Sequence, residues 1–130
     1  MTVHFYIENM NGCSYNNSEV NNMYINDVVI NKMQDTLKIA SDATRLKILS
    51  CLLNELEERS GDNHFIEKCV NDIAQQIGSS QSLVSHQLKV LKDAEFVKSR
   101  KEGTKIYYSL KDEHVRQIMR ITYEHVLEEE

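Results

Sequence analysis

Apolar residues repeat at helical spacing in several stretches of the chain, with short polar breaks between them. A first helix is predicted to begin near Asp27. A second, leucine-rich helix follows Ser41 and Asp42, both of which are good N-cap residues. A short third helix is predicted over residues 70–77. A charged stretch with one glycine, residues 55–63, is expected to be an exposed connection between the second helix and this one.

Gly78 and Ser80 predict a tight turn between the third helix and a fourth. Glycine is a common residue just after a helix, and serine is a common N-cap of the next one. The fourth helix is predicted to end near Asp93. Its expected core positions are Leu83, Val84, Leu88 and Leu91.

Two β-prone runs, residues 96–100 and 105–110, flank a turn that contains Gly103, which predicts a β-hairpin. A last helix is predicted to begin at Asp112, itself an N-cap residue, and to continue into the acidic end of the sequence. Helix, short turn, helix and then a hairpin with basic residues is the order of a winged helix-turn-helix. We therefore predict a mainly α fold with a small β-hairpin wing.

The distribution of charge changes what the net charge of −5 implies about nucleic acid. Residues 86–105 contain six Lys or Arg and three Asp or Glu, which gives +3, whereas the rest contains nine and seventeen, which gives −8. The base-rich stretch covers the fourth helix and the hairpin. A local anionic partner is therefore compatible with an acidic protein.

In a winged helix-turn-helix, the N-terminal residues of the second helix of the pair lead into the major groove. Gln can bond adenine bidentately, Ser can donate or accept at several bases, and basic residues of the wing suit phosphate contacts. Double-stranded operator DNA is thus the predicted partner. The predicted contacts are Ser80, Gln81, Ser82, Ser85, His86 and Lys89 of the helix and Arg100, Lys101 and Lys105 of the wing. For His86, a structural hydrogen bond is an equal alternative to a base contact.

Four side chains of metal-ligand type lie in the last predicted helix: Asp112, His114, His125 and Glu128. The two histidines are eleven residues apart, so they point to nearly the same side of the helix but lie roughly 16 Å apart. Because zinc binds a His nitrogen at about 2.1 Å, one helix cannot close these ligands around one ion. Two antiparallel copies can, if Asp112 and His114 of one chain meet His125 and Glu128 of the other. The pattern therefore predicts a metal site and a homodimer together, although capping alone would also explain Asp112.

The ligand set indicates which metal ion is bound, and the residues around it indicate which side of the helix forms the dimer contact. Two imidazoles and two carboxylates suit four-coordinate Zn(II), and the lack of a thiolate disfavours Cu(I), Cd(II) and Pb(II). Ile118 and Ile121 lie on the ligand face between the histidines. A neighbouring apolar stripe consists of Val115, Met119, Thr122 and Val126. One stripe is expected to pack on the protein's own core and the other on a partner helix.

Three segments of the chain resemble one known family. Residues 69–78 (CVNDIAQQIG), 82–92 (SLVSHQLKVLK) and 100–110 (RKEGTKIYYSL) resemble the ArsR/SmtB family of metal-sensing winged-helix repressors. The resemblance covers roughly residues 30–128 without the connection over residues 55–63, and the four ligand-type residues match the family's zinc site in the C-terminal helix. It implies a repressor whose metal-free dimer binds operator DNA and whose zinc-bound dimer binds less tightly, which derepresses metal-resistance or efflux genes.

The resemblance also implies an alternative trigger. Some family members bind thiophilic metals through cysteines at the start of the helix that corresponds to the third predicted helix here. Residues near the N-terminus of the partner chain complete that site. Cys69 and Asp72 match those positions, but Asn71 stands where the thiol-rich members have a second Cys. Cys13, or less readily His4, would complete this second site. The alternative function is the same DNA-binding module triggered by a soft metal or by thiol oxidation at Cys69 and Cys13.

Two other functional classes make different predictions for a chain with this ligand set. A zinc hydrolase keeps three protein ligands and one open position, whereas four protein ligands close the shell. No nucleophile-plus-base constellation is apparent elsewhere in the sequence, so we expect no enzymatic activity. A dimeric module with a purely structural metal predicts instead that chelation unfolds the dimer rather than strengthening operator binding.

The start of the chain differs in composition from the remainder. Residues 1–25 are rich in Asn and lack a clear period, so we expect a flexible N-terminal arm followed by a DNA-binding and dimerisation domain over residues 26–130. The start has no signal-peptide pattern, and no apolar run approaches the roughly 20 residues of a membrane span. Three scattered cysteines do not make a disulfide framework. These features predict a cytoplasmic protein with no membrane partner, and Cys51 is expected to lie in the core.

Overall fold

The computed structural model describes residues 24–53 and 65–128. The helices and strands in these residues are α1 (Asp27–Ala40), α2 (Ala43–Leu52), β1 (Lys68–Cys69), α3 (Val70–Ile77), α4 (Gln81–Asp93), β2 (Val97–Glu102), β3 (Lys105–Leu110) and α5 (Glu113–Glu128). The chain forms two compact units, one ending at Asp35 and the other beginning at Thr36. The predicted arm lies almost wholly outside the described residues, as does the connection over residues 55–63, and both stay predictions.

In the first unit, α1 begins where the sequence predicts it to begin. The side-chain Oδ1 of Asn26 accepts the backbone N–H groups of Val28 at 2.9 Å and Val29 at 3.3 Å, which caps the helix. No residue of α1 is buried. The apolar side chains that predict this helix, such as Val28 and Met33, are therefore largely exposed.

In the second unit, Asp42 rather than Ser41 caps α2, because its Oδ2 accepts the backbone N–H of Arg45 at 2.9 Å. The Arg45 side chain then spans to two other elements. Its Nε donates to the Ile39 carbonyl oxygen at 2.6 Å, and an Nη donates to the Gln87 Oε1 at 3.0 Å. One guanidinium thus connects the end of α1, the start of α2 and the middle of α4.

The core of the second unit is formed by the facing sides of α2, α3 and α4, closed by the sheet and by α5. The fully buried side chains are Ile48, Leu49, Ile73, Val84, Leu88, Leu91, Val97 and Leu110. Val115 and Met119 attach α5 to this cluster, and Cys51 lies in it as predicted. Burial of these side chains fixes which face of each helix is left at the surface.

The helix-turn-helix follows the predicted capping. Gly78 adopts a left-handed conformation with φ of 71°, and the Ser80 hydroxyl accepts the backbone N–H of Leu83 at 3.2 Å. The prediction that Leu83 is a core residue is wrong, since it is 41% exposed. It lies one residue, and so about 100° around the helix, before Val84, which is the residue that begins the buried stripe.

The hairpin is confirmed, and it belongs to a three-stranded antiparallel sheet in the order β1-β3-β2. Strands β2 and β3 pair from Val97 with Leu110 to Glu102 with Lys105, which leaves a two-residue turn at Gly103, whose φ is 63°. Strand β1 was not predicted, because two residues carry no periodic pattern. The predicted fold is thus correct: a mainly helical winged helix-turn-helix. Within the described parts of the chain, no helix has the length and apolar character needed to cross a bilayer.

Candidate functional site

The polar face of α4 is the first surface of functional interest. Val84, Leu88 and Leu91 turn inward with no exposed area, so the polar residues of the helix face outward. All nine residues predicted to contact DNA are exposed: Ser80, Gln81, Ser82, Ser85, His86, Lys89, Arg100, Lys101 and Lys105. The structure therefore leaves each predicted side chain accessible, six of them at the start of α4 or along it and three on the wing.

The first residues of α4 are held by local hydrogen bonds. The Ser80 hydroxyl oxygen accepts the backbone N–H of Leu83, so this side chain serves the helix as its cap. Gln81 donates from Nε2 to the Oδ1 of Asn71, in the first turn of α3, at 2.8 Å. Gln81 is thus oriented by a neighbouring helix, while Ser80 is committed to capping.

On the wing, Arg100 is paired with two carboxylates. Its Nε lies 2.8 Å from Glu67 Oε2, and one Nη lies 2.7 Å from Glu102 Oε2. The hydrogen bond that Arg100 donates to Glu102, followed by the one that it donates to Glu67, raises the pKa of Arg100 above its ordinary value. The three groups together carry a net charge of −1. Arg100 therefore presents less free positive charge than its sequence position suggests.

The two predicted DNA-contacting lysines of the wing differ from Arg100 in their ion pairing. In the part of the chain that the structure describes, neither Lys101 nor Lys105 forms an ion pair with an acidic side chain. Both are exposed beside the turn at Gly103. They are the wing residues whose charge is most available to a phosphate.

At the start of α5, Asp112 uses its two oxygens differently. Its Oδ1 accepts the backbone N–H of Val115 at 3.1 Å, which makes it the predicted N-cap. Its Oδ2 lies 3.9 Å from His114 Nδ1, and both side chains are largely exposed. Two tetrahedral ligands of one zinc ion are about 3.4 Å apart. Capping thus uses one oxygen of Asp112, while the other oxygen lies near the His114 nitrogen.

The other two predicted ligands, His125 and Glu128, are exposed at the far end of α5. Within residues 24–53 and 65–128 of a single chain, no three His, Cys, Asp or Glu side chains are grouped closely enough to hold a metal ion. The structure thus brings Asp112 and His114 together, and it leaves His125 and Glu128 as a separate pair about three turns away.

Between these two pairs, α5 has one buried and one exposed apolar side. Val115 and Met119 are each 7% exposed, whereas Ile118 is 43% and Ile121 is 61% exposed. Val115 and Met119 of the predicted four-residue stripe pack on the protein's own core, whereas Thr122 is exposed and Val126 is 56% exposed, so only the first half of that stripe is buried. The isoleucines between the ligand pairs remain at the surface of the chain.

The second candidate metal site is present only in part. Cys69 is half-buried, and its Sγ donates to the Asp72 Oδ2 at 3.1 Å. Its remaining predicted ligands, Cys13 and the less favoured His4, lie outside the described residues. The structure therefore places one thiol and one carboxylate side by side in the first turn of α3.

Three residues that contact the predicted site were missed by the sequence reasoning. Glu102 lies two residues from Arg100 on one strand, so the alternation of β2 could have predicted this pair. Glu67 and Asn71 carry no such signal. Their partners, Arg100 and Gln81, are 33 and 10 residues away, and only the folded sheet and helix pair bring them together.

Comparison with known proteins identifies a family that shares this architecture. The family model described as "Bacterial regulatory protein, arsR family" matches residues 66–99, which run from just before β1 into β2. Among solved structures, the AntR antimony-specific transcriptional repressor superposes with a TM-score of 0.66 at 26% identity, covering 89% of this chain and 96% of that one.

Proteins with related sequences also match this chain over much of its length. A transcriptional repressor SmtB homolog of Synechocystis is 34% identical over 75% of this chain and 65% of its own length. A cadmium resistance regulatory protein CadC homolog of Staphylococcus aureus is 42% identical over 68% and 64%. The chain thus spans just under two thirds of the length of these two relatives.

The transcriptional repressor SdpR of Bacillus subtilis is 37% identical over 60% of this chain and 74% of its own length. These relatives are transcriptional regulators, and the match to the family model includes the helix-turn-helix formed by α3 and α4. The chain therefore belongs to the ArsR/SmtB family of bacterial regulatory proteins, which are transcriptional regulators and not enzymes.

Proposed function

We propose that this chain is a cytoplasmic, homodimeric repressor whose metal-free form binds operator DNA, and that Zn(II) held between the two α5 helices weakens this binding. Genes for metal resistance or efflux would then be derepressed. One observation carries the proposal. Two pairs of ligand-type side chains lie at opposite ends of α5, with exposed isoleucines between them. A second copy of the same helix, antiparallel to the first, supplies what each pair lacks.

The dimer contact follows from the exposed side of α5. Ile118 and Ile121 are apolar and exposed, while Val115 and Met119 hold the helix on its own core. Packing the isoleucines of two chains together removes apolar surface from water. A two-fold axis through this contact makes two equivalent sites, each with Asp112 and His114 of one chain and His125 and Glu128 of the other.

The donor chemistry fits Zn(II). Two imidazole nitrogens and two carboxylate oxygens are common zinc ligands, and Asp112 and His114 already lie within 3.9 Å of each other. When bound, the ion supplies a cross-link between the two chains at each end of the paired helices. The residues themselves determine the geometry: Asp112 is fixed by its cap to Val115, and Val115 is fixed in the core.

The DNA contact and the metal contact are joined through the fold. Helix α5 packs on the same core that holds α4 by its buried face. The two α4 helices of a dimer bind two successive major grooves only when the spacing between them matches the DNA. A dimer geometry that is favoured by the metal and changes this spacing therefore weakens DNA binding. The coupling is reciprocal, so operator DNA must lower the affinity for zinc by the factor by which zinc lowers the affinity for DNA.

Recombining two inactive variants in one dimer tests the shared site. In a mixed dimer of His114→Ala and His125→Ala chains, one site loses both histidines and the other keeps all four ligands. We expect each variant alone to lose tight zinc binding, and the mixed dimer to regain one site, against two in the wild-type dimer. The measurement is competition with a chromophoric chelator after tandem purification on two different tags.

The matched control mixes two variants that are altered at the same end of α5, Asp112→Ala and His114→Ala. Neither site of that dimer is complete, so it should recover no tight zinc binding. Absence of recovery in the first mixture, or equal recovery in both mixtures, would show that the site is not shared in this way.

The wing gives a second test, which concerns DNA binding alone. Each phosphate contact contributes about 0.9 to the slope of log affinity against log salt, so Lys101→Ala in both chains should lower the slope by roughly 2 per dimer. Arg100→Ala should lower it by less than half as much, since Glu67 and Glu102 already offset that charge. Anisotropy titrations at several salt concentrations measure both. An Arg100→Ala effect as large as that of Lys101→Ala would contradict the assignment.

A second candidate function is the same module with a soft metal, or oxidation, acting at Cys69 and Cys13. The contact of Cys69 with Asp72 favours it, as does similarity to a cadmium resistance regulator. Cys69→Ser separates the two functions. The zinc proposal predicts an unchanged zinc response in DNA binding, whereas the second function predicts that the response to Cd(II) or to oxidation is lost. Loss of the zinc response in Cys69→Ser would favour the second function.

A further inference from the structure

One hydrogen bond joins the first turns of α3 and α4. Gln81, the first residue of α4, donates from Nε2 to the Oδ1 of Asn71, the second residue of α3, at 2.8 Å. Both side chains are exposed. The bond is therefore not forced by burial of two polar groups in the core, and it lies on the surface proposed to meet DNA.

The backbone on both sides of this bond is already fixed. Ile73 of α3 and Val84 of α4 have no exposed area, and Gly78 and Ser80 define the turn between the helices. The helix pair is thus held without Asn71. Asn71 instead restricts the side chain of Gln81. Without this hydrogen bond, rotation about three side-chain bonds would leave the orientation of the Gln81 amide group free.

The amide of Gln81 keeps what it needs to recognise a base. A glutamine that bonds adenine bidentately donates one N–H to N7 and accepts the N6 amino group with its Oε1. The Nε2 group has two hydrogens, and Asn71 takes one of them. One N–H and the Oε1 are left for a base edge.

We propose that Asn71 is a specificity-determining positioning residue, which holds the Gln81 amide in the orientation that recognises one adenine of each half-site. Asn71 acts through Gln81 and does not itself contact the base. The inference rests on the proposed function, because it requires that α4 enter the major groove. It adds to that function a residue on α3 that sets the base preference of α4.

Selection from a random DNA pool tests this with the full-length, metal-free chain. Gln81→Ala should flatten the preference for adenine at one position of the half-site. Asn71→Ala should flatten the same position, with about a threefold to tenfold loss of discrimination and unchanged affinity for unselected DNA. The double variant should be no flatter than Gln81→Ala, since the two residues act through one contact.

A conservative variant distinguishes positioning from a structural role. Asn71→Asp keeps an acceptor of the same size, so it should retain the base preference while its charge lowers the affinity for every sequence. Thermal unfolding of Asn71→Ala should match that of the wild type.

Three outcomes would overturn the proposal. In the first, Asn71→Ala keeps the preference for adenine while Gln81→Ala loses it. In the second, Asn71→Ala lowers the affinity for all sequences equally. In the third, the double variant loses more of the base preference than Gln81→Ala does. Failure of the DNA-binding part of the proposed function gives a different result, because the wild-type chain would then select no sequence at all.

Discussion

The burial of one face of α4 is the constraint on which the other features depend. Val84, Leu88 and Leu91 have no exposed area and pack between α2, α3 and the sheet. Removing this stripe from water leaves only one orientation of the helix, in which Gln81 and the polar residues after it face outward. Arg45 strengthens the orientation with a polar contact, since it bonds Gln87 on α4 and the carbonyl of Ile39. The surface that we propose to meet DNA is thus exposed as a consequence of core packing.

The same division into a buried and an exposed side governs α5, with a different result. Val115 and Met119 commit one side to the core of the chain, and the side with Ile118 and Ile121 is left without a partner in that core. The two proposed ligand pairs lie at the two ends of this exposed side. Asp112 shows how closely structure and function are combined here, because one oxygen caps α5 and the other lies beside His114. Helix stability and the proposed metal site therefore use the same residue without conflict.

Much of the fold could be predicted from the sequence because its signals are local. The caps at Ser80 and Asp112, the glycine turn at Gly78 and the hairpin around Gly103 each depend on residues close in the chain. The features that could not be predicted depend on distant pairs. Strand β1 is too short to show a period, Leu83 lies just beside the buried stripe, and Glu67 reaches Arg100 only when the sheet has formed. The candidate residues of the site could be named in advance, but Asn71, which holds Gln81, and Glu67, which pairs with Arg100, could not.

The central claim is that Zn(II) held at the sites between two chains lowers the affinity of the two α4 helices for operator DNA. Anisotropy titration of the metal-free dimer with its operator, repeated at saturating Zn(II) and again after addition of a chelator, measures this directly. The account predicts that zinc lowers the affinity by about fivefold to 150-fold, the usual range of allosteric coupling, and that chelation restores it. A His114→Ala dimer should bind DNA equally well with and without zinc. Wild-type affinity that is unchanged or increased by zinc would contradict the account.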